Sequence, residues 1–145
     1  MSKLNDFGTE AAREIAGYCT LTAGGLAINA TSAATFKTVN TVTYLNNGVF
    51  KSKSAFTAQA FTAGHATQAI GETGYYVVGL SAAGAVSTYQ GIGVIPDVPD
   101  GITPIGIIKV VADTAVFKPN TTALDATTCT FTFYDVSVLP ATQTL

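Results

Sequence analysis

From Tyr18 onward, apolar and polar positions alternate with a period of two, the pattern of half-buried strands. Cys19-Thr20-Leu21-Thr22 alternates, Gly24-Gly25 interrupts it, and Leu26 and Ile28 resume it. Thr38 to Leu45 predicts a strand rich in Thr, Val and Tyr, residues that pack well on a pleated surface. Asn46-Asn47-Gly48 predicts a tight hairpin turn, because Asn and Gly accept positive φ, and Val49-Phe50-Lys51 is the returning strand. Tyr75 to Leu80 predicts another strand, Ser81 to Gly84 its turn, and Val86 to Tyr89 its partner. Phe117 to Asn120 reads as a turn. Thr128 to Val138 is the longest alternating run, with Cys129, Phe131 and Phe133 on one face and Thr130, Thr132 and Tyr134 on the other. Phe56 to Ile70 mixes Ala and Thr with Phe56 and Phe61 and specifies no element strongly.

The middle of the chain, Thr88 to Val111, organises the rest. An apolar, strand-like segment (Ile92–Ile95) leads into a loop punctuated by Pro96, Pro99 and Pro104, and a second apolar segment (Ile105–Val111) follows. Proline fixes φ and lacks a donor N–H, so these three positions exclude a helix interior and a central ladder and predict a stiff loop. Asp100-Gly101 is a turn pair within it. Ile105, Ile107, Ile108, Val110 and Val111 occupy both faces of the following strand, which predicts burial on both.

Only Leu4 to Ala16 has helical spacing. Leu4, Phe7, Ala11 and Ile15 form one stripe, Asp6 or Thr9 can cap the start, and Gly17 is placed to end the helix. A helix this short needs a surface to dock on, either its own sheet or a neighbouring subunit. The expected organisation is therefore an N-terminal helix or arm over residues 1–17 and a single β domain over residues 18–145. The fold class is all-β, an antiparallel sandwich or barrel of about seven or eight strands, since no βα alternation occurs.

Composition sharpens this picture. Charged residues are 11% of the 145 positions, against about 25% in ordinary soluble domains, and Thr and Ala together fill 45. From Ser54 to Pro96 the only charged side chain is Glu72. So neutral an exterior is a good contact surface, which predicts that much of it is covered in an assembly. The net charge of −2 with seven Lys plus Arg excludes a nucleic-acid wrapper. No uninterrupted apolar run is long enough to span a membrane, and the first residues lack the layout of a secretory signal, so synthesis in a cytoplasm is expected. Cys19 and Cys129 show no metal or redox spacing and are expected as buried thiols.

Candidate chemistry is sparse. His65 is the sole histidine and lies outside any HxxxH or HxxE spacing, so a structural role is expected. Asp97, Asp100, Asp113 and Asp125 offer oxygen ligands but no EF-hand pattern; the two in the proline loop fit Asx turns. Glu10 and Glu14 read as solvated helix residues, and G-I-G-V at 91–94 lies between strand segments. No nucleophile elbow or phosphate loop occurs. Tyr75, Tyr76 and Tyr89 are candidate stacking residues for a glycan. The sequence assigns no catalytic residue, no cofactor and no metal ligand, and the protein is expected not to be an enzyme.

Three stretches carry a resemblance: Lys37–Lys53 (K-T-V-N-T-V-T-Y-L-N-N-G-V-F-K-S-K), Tyr75–Ser87 (Y-Y-V-V-G-L-S-A-A-G-A-V-S) and Pro96–Val110 (P-D-V-P-D-G-I-T-P-I-G-I-I-K-V). Together they resemble small virion structural proteins of tailed bacteriophages, in particular head decoration (cement) proteins. The resemblance implies a β-rich, non-enzymatic protein on the capsid exterior, a homotrimer that clamps subunits of the major capsid protein. It implies no cofactor and no catalytic residues; that nucleic acid and membrane are not partners is expected from the charge and hydropathy above. Tail-fibre proteins share the charge-poor, Thr/Ala/Gly-rich composition, so a fibre or receptor-binding domain is the alternative. The residues expected at partner contacts are Leu4, Phe7 and Ile15 on the helix and Pro96, Val98, Pro99, Ile102 and Pro104 on the stiff loop, since pre-ordered segments lose little entropy on docking.

Overall fold

The computed structural model describes residues 17–137. The helix expected over Leu4–Ala16, with the contact residues Leu4, Phe7 and Ile15, lies outside them. Among the described residues the fold is all-β and antiparallel, as the alternation predicts. Nine strands follow in order: β1 (Tyr18–Thr20), β2 (Leu26–Ile28), β3 (Phe36–Thr38), β4 (Val42–Asn46), β5 (Val49–Lys53), β6 (Thr73–Leu80), β7 (Val86–Ile92), β8 (Thr103–Ala112) and β9 (Cys129–Asp135). They form a four-stranded sheet ordered β7-β6-β8-β9, a three-stranded sheet β1-β4-β5 and the pair β2-β3. This is a sandwich in which the four-stranded sheet is one layer and the smaller sheets and a long coil are the other.

The β4–β5 hairpin turns at Asn47 (φ 50°) and Gly48 (φ 74°), two successive left-handed residues as the Asn-Gly signal requires. Thr38–Leu45 is not one strand. The chain leaves β3 at Thr38 and re-enters β4 at Val42, because Val39 and Asn40 turn back to donate to the carbonyl of Gly24. Residues 92–95 are not a strand either: β7 carries the pairing up to Ile92, and beyond it the chain bends at Gly93 (φ 74°).

Inside the sandwich, Phe56, Phe36, Phe61, Tyr76, Phe117 and Phe131 meet edge to face in sequence, with centroid separations of 5.1–6.4 Å. Val42, Tyr44, Val78, Leu80, Ile105, Ile108 and Val110 complete one continuous core. Burial along β8 differs from expectation. Ile105, Ile108 and Val110 are buried, whereas Ile107 and Val111 are only half-buried, so one face of the sheet meets the core and the other is partly open. A register shift at Val78/Gly79 leaves Ile105 without an opposite residue and turns Ile105 and Gly106 both inward.

Pro104 lies within β8, contrary to the expectation that the prolines avoid a central ladder. The reason is local. The pairing of β9 with β8 starts only at Gly106, so the first residues of β8 are an edge on that side, where proline is tolerated. There β1 comes alongside: Thr20 Oγ1 donates to the Pro104 carbonyl (2.5 Å), and Thr103 Oγ1 donates to the Leu45 carbonyl (2.7 Å). These bonds tie the three-stranded sheet to the large one at the point where the proline loop enters.

The weakly patterned 56–70 region is a coil held by side chains. Thr62 and Thr88 exchange bonds between backbone N–H and Oγ1 (2.8 and 2.9 Å). The Gln90 amide brackets the backbone of Ala66 (2.8 Å each way), and the Asn120 amide does the same for Phe61 (2.7 and 2.9 Å). The coil so pinned covers β7 at its free edge and supplies Phe56 and Phe61 to the core.

Candidate interaction surface

The proline loop is strapped across the outer face of the four-stranded sheet. At one end the chain doubles back onto Gly91 of β7, where an added Cβ would collide with the Val94 carbonyl and come within 3.0 Å of the Pro96 nitrogen. At the other end the Ile102 side chain lies over Gly79 of β6, where a Cβ would again collide. Two glycines in neighbouring strands thus form the seats of the loop, a close approach that only a missing side chain permits.

Seated in this way, the loop presents an apolar ridge. Val94 is 64% exposed and Ile95 52%, with Ile92 beside them. Of the residues expected at contacts, Pro99 is exposed and Pro96, Val98, Ile102 and Pro104 are half-buried. Val98, Pro99, Ile102 and Pro104 line a small groove of about 190 Å³ with Tyr18 and Asp100–Gly101. The structure therefore gathers most of the expected loop residues into one place, while Pro96 belongs to the Gly91 seat. The sequence reading missed Val94 and Ile95 as contact residues because it assigned them to a strand.

A larger groove, about 400 Å³, lies on the same outer face between Tyr75, Ile95, Ile107, Lys109 and Tyr134. The register places these side chains together: Tyr75 opposes Lys109, and Ile107 opposes Tyr134. Away from this face, the tip of the β4–β5 hairpin exposes Val49 and Phe50, the latter at 72%.

Four of the residues considered for chemistry, His65, Tyr76, Asp113 and Asp125, make structural hydrogen bonds. His65 Nε2 pairs with Thr88 Oγ1 at 2.8 Å and its ring meets Tyr76 edge-on; burial lowers its pKa, so the imidazole is held neutral. Tyr76 is not a stacking platform, because it is fully buried with its hydroxyl between Gln68 Oε1 (3.1 Å) and Gln90 Nε2 (3.0 Å). Burial pushes its pKa up to about 12. Asp113 accepts from Thr130 Oγ1 (2.6 Å) and Asp125 from the Ser32 N–H (2.8 Å). No group of three metal-ligating side chains occurs among the described residues. Cys129 is a buried thiol as expected, whereas Cys19 is only half-buried. No helix among the described residues is long and apolar enough to cross a membrane.

Comparison with family models, with curated proteins and with solved structures yields no match for this chain.

Proposed function

We propose that this chain is a non-enzymatic structural protein of a tailed-bacteriophage virion, a decoration protein that binds the outer head shell as a homotrimer and bridges subunits of the major capsid protein. The observation that carries the binding role is the apolar ridge of Ile92, Val94 and Ile95, held outward by a loop that is stiffened by prolines and seated on Gly91 and Gly79. A rigid apolar ridge loses little conformational entropy on docking and gains by removing its surface from water. The virion setting rests on the sequence resemblance of Lys37–Lys53, Tyr75–Ser87 and Pro96–Val110.

A shell protein of this kind works by mass action. Binding only the assembled lattice stabilises that lattice, and many copies convert moderate contacts into a large total effect. A specific contact needs a total buried area on the order of 1,000 Å², which the ridge reaches only together with neighbouring surface such as the Tyr18–Pro104 groove.

The test uses purified head shells lacking the protein and the variant Val94→Asp/Ile95→Asp. Both side chains are exposed, so the variant should keep the parent melting temperature while its binding to shells falls at least tenfold. Equal binding by parent and variant would remove the ridge from the interface, and failure of the parent to bind any shell would remove the decoration role.

A further inference from the structure

The larger groove on the outer face of the β7-β6-β8-β9 sheet joins an apolar body to hydrogen-bonding groups that the fold does not use. It is lined by Tyr75, Ile95, Ile107, Lys109 and Tyr134, and its volume of about 400 Å³ falls within the roughly 300–1,000 Å³ of small-ligand sites. We propose that this groove binds a carboxylate-bearing pyranose, a uronate residue of an acidic glycan, with the sugar ring between Tyr75 and Tyr134 and its carboxylate on the Lys109 ammonium. The site does not depend on the virion reading; Ile95 is shared with the apolar ridge, so it is the free protein that offers it.

The sheet sets the spacing of the walls. Tyr75 on β6 opposes Lys109 on β8, and Ile107 on β8 opposes Tyr134 on β9. The two tyrosines are therefore anchored on either side of β8, about 10 Å apart across the sheet and about 7 Å apart along it. Between them lie Ile107 and the methylene stem of Lys109. Ile95 closes one side from the proline loop, whose seat on Gly91 fixes it there. A ring placed midway lies about 6 Å from either anchor, within stacking reach of both aromatic side chains.

Charge and hydrogen bonding select the ligand. Lys109 is the sole charged residue of the lining, so its complement is an anion. Among the described residues its ammonium makes neither a hydrogen bond nor an ion pair, and the hydroxyls of Tyr75 and Tyr134 make no hydrogen bond. Three donors thus stand round one apolar trough. A flat aromatic acid would stack and reach Lys109 but leave both hydroxyls to water. A neutral sugar would meet the hydroxyls and leave the ammonium without a counter-charge. A uronate has a C–H face for the rings, hydroxyls for the phenols and a carboxylate for the lysine, and so matches every group in the groove.

The test titrates the full-length protein with sodium D-glucuronate at constant ionic strength, followed by amide NMR, with D-glucose and benzoate as controls. Saturable shifts are expected at Tyr75, Ile95, Ile107, Lys109 and Tyr134, with each control binding at least about tenfold more weakly. Lys109→Gln and Tyr134→Ala, both on the face away from the core, should each weaken glucuronate binding by a similar factor while the rest of the amide spectrum stays that of the parent. Absence of saturable shifts in the parent protein would overturn the site. Equal binding of glucose would overturn the role of Lys109, and equal binding of benzoate would overturn the choice of a sugar. Shifts at other residues, or binding unchanged in both variants, would place the ligand elsewhere and contradict the proposal.

Discussion

Gln68 is a buried side chain whose removal isolates the polar part of the core. Its Nε2 donates to the carbonyls of Glu72 (2.7 Å) and Val110 (2.9 Å), and its Oε1 accepts from the Tyr76 hydroxyl (3.1 Å). Gly74 of β6 leaves room for this amide, since a Cβ there would collide with it. Gln68→Leu keeps nearly the same volume, so the cavity contribution is small and the loss is that of three hydrogen bonds. Each is worth about 0.5–1.5 kcal/mol net, and the buried Tyr76 hydroxyl, left without its acceptor, adds a desolvation cost of about 1–3 kcal/mol. The added apolar burial of leucine offsets roughly 1–2 kcal/mol. The expected net loss is about 3 kcal/mol. With m of about 2 kcal/mol/M, the urea midpoint should fall by about 1.5 M at unchanged m. The melting temperature should drop by about 10 °C. A double-mutant cycle with Tyr76→Phe should be less than additive, because both changes break the same bond. A loss below about 1 kcal/mol, or strict additivity, would refute the claim that this amide holds the β6–β8 ladder to the coil.

Two further expectations concern the core and the loop seat. Tyr76 should remain neutral after the exposed tyrosines have ionised, giving a delayed step near pH 12 in a spectrophotometric titration; its folded pKa lies above the unfolded value of about 10, so its contribution is complete below pH 10 and is lost as pH rises through the folded value. A titration in which all six tyrosines ionise together while the fold persists would contradict this. Gly91→Ala should force the Val94–Pro96 segment off the sheet, costing about 1–3 kcal/mol by chemical denaturation and weakening shell binding with it; a variant of parent stability would show that the loop is not seated there.

Much of the fold was legible in local pattern. The all-β class, the Asn47-Gly48 hairpin, the β6–β7 pairing and the facing of Phe131 and Phe133 follow from alternation and turn chemistry. The departures have one common cause, contacts distant in sequence. The break at Val39–Asn40 depends on the Gly24 carbonyl, and the tolerance of Pro104 depends on where β9 begins. The coil over 56–70 takes its order from Thr88, Gln90 and Asn120, polar residues whose pairing with a backbone far along the chain leaves no periodic trace. The candidate surface was legible only in part. Pro96, Val98, Pro99, Ile102 and Pro104 were visible as a stiff loop, but the exposure of Val94 and Ile95 is set by the seats at Gly91 and Gly79, which a linear pattern does not display.

The central claim is that this charge-poor exterior is a contact surface for a phage head. Quantitative mass spectrometry of virions from a tailed phage whose genome is found to encode the chain, separated into heads and tails, tests it most directly. The account predicts that the chain is found on heads, in a copy number set by the shell's threefold positions. Recovery of the chain only with tails, or its absence from purified particles, would contradict it.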